Sequence, residues 1–290
     1  MTDARTFPTD SPPARLLEDF SVEITGKDAD TFIASAGSLP PRTRVNVTFL
    51  ASETLDVRRA AARTVASHGH LPMPHVAARR LASVDELQNS LSAFADDGTS
   101  DSLFVIAGDP ATPVGPFDGA ADVIEAADLR AHAVTRVGIS GYPEGHPDIP
   151  DSELDAALDR KVQSIRDQGI RGEFITQFGF DTEPVLRWIE YVRAKGIDWP
   201  IRVGVPGPAG IKRLISYASR FGVASSAGIA KKYGFSITNL LGTAGPDRFI
   251  EELAARYDES SHGDLKLHFY TFGGLKATAE WIQRFQEPTR

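Results

Sequence analysis

Eight short, apolar, β-branched runs at residues 21–24, 45–49, 73–77, 103–107, 134–140, 174–177, 201–205 and 265–270 constrain this chain more than any other feature. Amphipathic stretches of helical period separate them. Runs of this kind read as strands buried on both faces, and parallel pairing requires a crossover helix between neighbours. The intervening stretches carry helix starts: Ser83-Val-Asp-Glu-Leu, Pro150-Asp-Ser-Glu-Leu and Asp181-Thr-Glu-Pro all place acidic residues in the first turn, where the helix dipole favours them. After Asp181, the spacing of Leu186, Ile189, Tyr191 and Val192 predicts an inward stripe, with Arg187, Glu190 and Arg193 toward water. Eight strand–helix repeats predict a closed (β/α)8 TIM barrel of class α/β, and 290 residues suit one such domain of roughly 250 residues plus additions. The additions fall between the seventh and eighth runs, from about residue 209 to 263, with a helix over 247–257 after the break at Gly245-Pro246. The barrel is expected over residues 19–290. Residues 1–18, with Pro8, Pro12 and Pro13 among Thr, Ser and Asp, read as a flexible leader without secretory-signal character.

A net charge of -8 argues against nucleic acid or an anionic membrane surface, which reward clustered Lys and Arg. No window reaches the ~20 apolar residues of a membrane helix. The expectation is a cytoplasmic protein acting on a small molecule, with a homo-oligomer left open. Zero Cys excludes disulfides, a thiolate nucleophile and cysteine-ligated metal. His68 and His70 fall in a helix-to-strand turn at the wrong end of the barrel for a site, so no metal is expected.

Barrel chemistry is built at the carboxyl ends of the strands. That rule selects Glu23, Thr48, His75, Gly108, Asp109, Tyr142, Gln177, Pro206, Gly207 and Tyr270. Glu23 and Asp109 come from different strands and could face one cavity as an acid and a charge stabiliser, or stand as solvated strand-end carboxylates. Tyr142, near Gly141, Pro143 and His146, reads as a pocket wall or as packing. The glycine-rich segment from Gly204 to Gly210 precedes a helix and could expose N–H groups to an anion or merely turn the chain. Lys161 reads as helical and Lys266 as mid-strand, which argues against Schiff-base chemistry.

Several segments together resemble the methylenetetrahydrofolate reductase family: Ser21-Val-Glu, Val47-Thr-Phe, Pro74-His-Val, Ala107-Gly-Asp-Pro, Gly141-Tyr-Pro-Glu-Gly-His-Pro, Ile175-Thr-Gln-Phe-Gly-Phe-Asp and His268-Phe-Tyr-Thr. They occur in family order over nearly the whole chain, which resembles the catalytic barrel alone.

The resemblance implies reduction of 5,10-methylenetetrahydrofolate to 5-methyltetrahydrofolate by NADH or NADPH, usually through FAD. It gives Glu23 the role of general acid toward N10, Asp109 that of stabilising the 5-iminium cation, and Gln177 that of hydrogen-bonding the pterin, with Tyr270 beside the substrate. Thr48, His75, Gly108, Tyr142, His146, Arg160 and Lys161 match cofactor-contacting positions. Ala107, Leu154 and Ala157 depart from the family's polar flavin contacts, so two routes stay open: hydride transfer through FAD, or directly from NAD(P)H to the folate. The same folate chemistry run oxidatively, a barrel that binds folate or flavin without turnover, and a phosphate-binding barrel lyase are the alternatives.

Overall fold

A computed structural model describes residues 12–220 and 243–286. In chain order the elements are α1 (Pro12–Leu16), β1 (Ser21–Ile24), α2 (Ala29–Ala36), β2 (Arg44–Val47), α3 (Leu55–Ser67), β3 (Leu71–Ala77), α4 (Val84–Asp96), β4 (Ser102–Ile106), α5 (Ala120–Ala126), β5 (Arg136–Gly141), α6 (Asp151–Asp167), β6 (Arg171–Thr176), α7 (Thr182–Ala194) and β7 (Ile201–Pro206). A two-residue strand β8 (Ala209–Gly210), α8 (Ile211–Arg220), β9 (Thr243–Ala244), α9 (Asp247–Arg256), α10 (Glu259–His262), β10 (Leu265–Tyr270) and α11 (Leu275–Gln286) follow. Strands β1 to β7 and β10 close into a parallel barrel in the order β1-β10-β7-β6-β5-β4-β3-β2, so the expected (β/α)8 barrel is present. The addition between β7 and β10 contains α8, α9, α10 and the antiparallel β8–β9 pair.

Strand alternation decides what faces inward. Val22, Ile24, Val45, Val47, Leu103, Val105, Val203 and Val205 join the apolar layer between strands and helices. Their neighbours turn into the barrel. At the amino ends of the strands, buried Glu173 receives Arg44 at 3.0 Å, Arg136 at 3.4 Å and Arg202 at 3.4 Å, while Arg202 also reaches Asp19 at 2.9 Å. Burial, and then the charge of Arg202, lower the Arg44 pKa to about 10. Above this floor Met73, Phe104 and Ile175 form a small inner apolar cluster. Gly138 must be glycine there, because a Cβ would stand 2.6 Å from Met73 Cε and 2.9 Å from the Phe104 ring. The Phe104 ring also meets the His75 ring at 4.8 Å, so this apolar plug reaches the residues of the opposite end.

The helix starts read from sequence are present. Ser83 Oγ accepts from the Glu86 amide, Pro150 stands at the start of α6, and Asp181 accepts from the Glu183 amide. Two readings of α7 need correction. Tyr191 is 44% exposed rather than inward, because its hydroxyl donates to Asp155 on α6. Arg193, expected in water, donates to the carbonyls of Ile197, Trp199 and His262 and fastens the helix end. Residues 12–17, expected within a flexible leader, are ordered against the barrel instead: α1 is helical and Leu16 and Leu17 are buried in the main core. Residues 1–11 lie outside the described residues, as do 221–242 within the long addition.

Candidate active site

Residues two apart on a strand share a face, so Ser21 and Glu23 on β1 point into the barrel together, as do His268 and Tyr270 on β10. The join between first and last strands pairs Ser21 with His268. Ser21 Oγ and His268 Nδ1 share a hydrogen bond of 2.8 Å, and His268 Nε2 stands 3.8 Å from Glu23 Oε2. The Glu23 side chain keeps 21% of its surface exposed, so a ligand in the barrel mouth can reach it. The Tyr270 ring meets His268 edge-on, and its hydroxyl donates to the Thr176 carbonyl at 3.1 Å, spanning to the end of β6. On the far side Asn46 Nδ2 donates to His75 Nε2 at 3.3 Å.

Burial lowers the His75 pKa to about 4, with Glu23 opposing weakly, so this imidazole is neutral near pH 7. Because Asn46 donates to Nε2, the His75 proton sits on Nδ1. Burial raises the Tyr270 phenol well above its ordinary value, helped by the charges of Glu23 and Tyr142, and burial raises Tyr142 as well. The Glu23 carboxyl group therefore stands among the neutral side chains of His75, Tyr142 and Tyr270. Among the buried polar atoms without a hydrogen-bond partner, Asn46 Oδ1, Thr48 Oγ1 and His268 Nε2 lie on or just after these strands toward the mouth. Buried polar atoms are almost always satisfied, so atoms of this kind at a mouth are what a ligand or water would complete.

The other expected residues are distributed around the rim. Asp109 lies in the loop after β4, and its exposed carboxylate is paired with Arg80. Gly108 beside it has φ +95°, and a Cβ there would also stand 3.3 Å from Ala77 Cβ, so the turn requires glycine. Gln177 follows β6; its amide N–H donates to the Gly141 carbonyl at 2.8 Å, and its side-chain oxygen accepts from the Phe178 amide at 3.1 Å. This leaves the Gln177 side-chain NH2 as the group available to a ligand. Tyr142 and His146 touch edge-on at 5.4 Å. Lys161 is buried under β5, donating to the Ser140 carbonyl at 3.4 Å, and burial lowers its pKa to about 8. Arg160 turns away to Glu125 at 2.5 Å and Asp122 at 2.9 Å.

The segment from Gly204 to Gly210 turns the chain under close contact. A Cβ on Gly204 would lie 2.3 Å from the Thr176 carbonyl oxygen, and the Gly207 amide already donates to the Tyr270 carbonyl at 2.8 Å. Sequence reasoning missed Ser21, Asn46, His268 and Arg80. The first three were legible in principle, because each stands two residues before or after a selected residue or faces one across the register. Arg80 gave no such signal, as its partner is fixed by loop geometry.

A closed parallel barrel with an acid, two imidazoles and a buried phenol at the carboxyl ends of its strands is the arrangement of a barrel enzyme. The chain belongs to the methylenetetrahydrofolate reductase family, whose model matches residues 39–285. It is 35% identical over 111 residues to methylenetetrahydrofolate reductase 2 of Saccharomyces cerevisiae, covering 36% of this chain and 18% of the yeast protein. It is 28% identical over 195 residues to methylenetetrahydrofolate reductase 1 of Schizosaccharomyces pombe, covering 63% of this chain and 30% of that protein. The matches thus span less than a third of those relatives. Among solved structures, a Clostridium thermocellum protein that binds two copies of 5-methyl-5,6,7,8-tetrahydrofolic acid shares the fold, with a TM-score of 0.61, 11% identity and coverage of 97% of this chain and 99% of that one.

Proposed function

We propose that this barrel reduces 5,10-methylenetetrahydrofolate to 5-methyltetrahydrofolate, taking hydride directly from NADH or NADPH. The observation that carries the reading is the position of Glu23. A partly exposed carboxyl group stands at the mouth of a barrel of this family, beside neutral His75 and Tyr270. Protonated Glu23 gives its proton to N10 of the folate, the bond from N10 to the methylene carbon breaks, and a 5-iminium cation forms. Hydride from the nicotinamide then reduces that carbon to the methyl group. One NAD(P)H and one proton are consumed, and the products are the methyl folate and NAD(P)+. Glu23 ends the cycle ionised and must be reprotonated. General acid catalysis of this kind contributes typically ~10²–10⁴-fold.

The residues do not fit a resident FAD. Thr48 Oγ1 and the His75 Nδ1 proton would suit a ring, but the diphosphate end lacks its contacts. The Arg160 guanidinium is closed on two carboxylates, and its hydrogen bond holds Glu125 below the usual carboxylate range. That cluster carries net negative charge and would repel a phosphate. The side chains of Ala107, Leu154 and Ala157 have no polar atom to offer. Of the two basic residues expected at the cofactor, Lys161 is buried and has no carboxylate partner among the described residues, which suits the pyrophosphate of a transient nicotinamide cofactor. Absorption spectroscopy of the purified protein together with NAD(P)H oxidation in the presence of the folate tests the reading: a colourless protein that turns over supports it, and stoichiometric bound flavin overturns the direct route.

A further inference from the structure

We infer that His268, held by Ser21, is a positioning residue that sets the proton of Glu23 for transfer; the inference rests on folate reduction as proposed above. His268 is 1% exposed and Ser21 is fully buried, so water does not compete for either side chain. The Ser21 hydroxyl occupies Nδ1, and Nε2 has no hydrogen-bond partner. The acid group facing that nitrogen is Glu23 Oε2 at 3.8 Å, just beyond hydrogen-bond reach. A small rotation of the half-open Glu23 side chain closes the gap, whereas His268 is fixed by Ser21 on one side and by the Tyr270 ring on another.

The chemistry follows from which nitrogen carries the proton. With the Ser21 hydroxyl donating to Nδ1, the imidazole proton sits on Nε2 and is offered to Glu23 Oε2. The proton of neutral Glu23 is then carried on Oε1, the oxygen left for the mouth and the substrate. As that proton moves to N10, negative charge develops on Glu23 and the Nε2–H bond to it strengthens. A donor that gains strength as charge develops favours the transition state over the ground state. No proton leaves His268, so the reaction balances as before, with Glu23 as the acid.

The other titratable groups around Glu23 do not mimic this role. His75 on β3 is neutral near pH 7, its Nε2 is occupied by Asn46, and Arg58 donates from α3 to its carbonyl. Tyr270 on β10 faces Glu23 and Tyr142, and both phenols are held above their ordinary values.

The test is the pH dependence of kcat for folate reduction by the full chain and its Ser21→Ala, His268→Asn and His268→Gln variants, with Glu23→Gln alongside. Loss of the Nε2 donor makes Glu23 a weaker acid. His268→Asn, which can still meet Ser21 but does not reach Glu23, is expected to lower kcat by at least about tenfold with the folate KM within about twofold. The alkaline limb of its profile should move upward by on the order of one pH unit. His268→Gln, long enough to place an amide N–H near the carboxylate, should recover part of the loss. Ser21→Ala, which removes only a hydroxyl, should show the same upward shift in smaller measure and serves where the His268 variants do not fold. If the wild type reduces the folate, Glu23→Gln does not, and Ser21→Ala and His268→Asn keep the wild-type limb, the positioning role is wrong and the function stands. If the wild type does not reduce the folate at all, the function fails first and takes this inference with it.

Discussion

The guanidinium of Arg80 is closed on the carboxylate of Asp109 at the rim of the barrel, so the acid expected to stabilise a folate cation meets a positive partner first. Arg80 is the more buried of the two, at 17% side-chain exposure against 67% for Asp109, and it also lies 6.0 Å from the Phe49 ring. A carboxylate in a pair contributes little field to a third charge. Arg80→Gln should therefore tighten binding of a cationic folate intermediate or analogue, and Asp109→Asn should loosen it, each by several-fold, since charge-assisted contacts are the stronger ones. Equilibrium titration with a 5,5-dialkylated tetrahydrofolate, whose quaternary N5 carries a fixed positive charge, checks this. Identical changes of sign in both variants would contradict it.

The proposed role of Gln177 is recognition rather than packing. Its side-chain oxygen is already used by the Phe178 amide, which holds the carboxamide with its NH2 outward. Gln177→Ala should raise the folate dissociation constant by on the order of 1 kcal/mol, more if a buried pterin acceptor is left unpaired. Thermal denaturation should be unchanged. An unaltered dissociation constant would remove Gln177 from the site.

The proposed misfit to flavin is reversible by design. Ala107→Arg with Ala157→Asn restores polar groups at two of the positions where the chain departs from its family, and Glu125→Gln with Asp122→Asn would in addition release Arg160. The combined variant should bind FAD measurably more tightly than the parent in fluorescence titration. Wild-type protein that purifies with stoichiometric FAD would contradict the premise.

His75 couples the site to stability at acid pH. Its folded pKa of about 4 lies below the ordinary histidine value of 6.5. Above pH 6.5 both folded and unfolded states are neutral and nothing is lost. As pH falls from 6.5 toward 4, the unfolded chain takes up a proton that the folded one refuses, and stability drops by about 3 kcal/mol. His75→Gln should flatten that part of the stability curve, as read by urea denaturation at neutral and mildly acid pH. An equally steep loss in the variant would mean that His75 is protonated in the folded protein.

How far the sequence anticipates this structure depends on the range of the interaction. Strand periodicity and helix starts are local, so 21–24 and 265–270 match β1 and β10 as observed, and Ser83 and Asp181 sit at helix starts. Strand ends locate Glu23, His75, Gln177 and Tyr270 because barrel topology alone puts them at one mouth. What local pattern does not carry is who meets whom across the closure. The Ser21–His268 bond joins residues 247 positions apart, and the Arg80–Asp109 pair depends on two loops. The family resemblance, not local pattern, places Arg160 at a cofactor contact. The structure spends its charge on Glu125 and Asp122 of a neighbouring segment, which only packing of α5 against α6 brings near.

The central claim is direct, Glu23-dependent hydride transfer to the folate, and isotope tracing tests it most directly. With NADH or NADPH carrying deuterium on the transferred face of the nicotinamide C4 and unlabelled methylenetetrahydrofolate in ordinary water, mass spectrometry of the product reads the origin of the new hydrogen. Direct transfer predicts 5-methyltetrahydrofolate with one deuterium in its methyl group at full enrichment, and no product from Glu23→Gln. Absence of methyl folate from the wild type, deuterium diluted by solvent hydrogen, or full product formation by Glu23→Gln would each contradict the account.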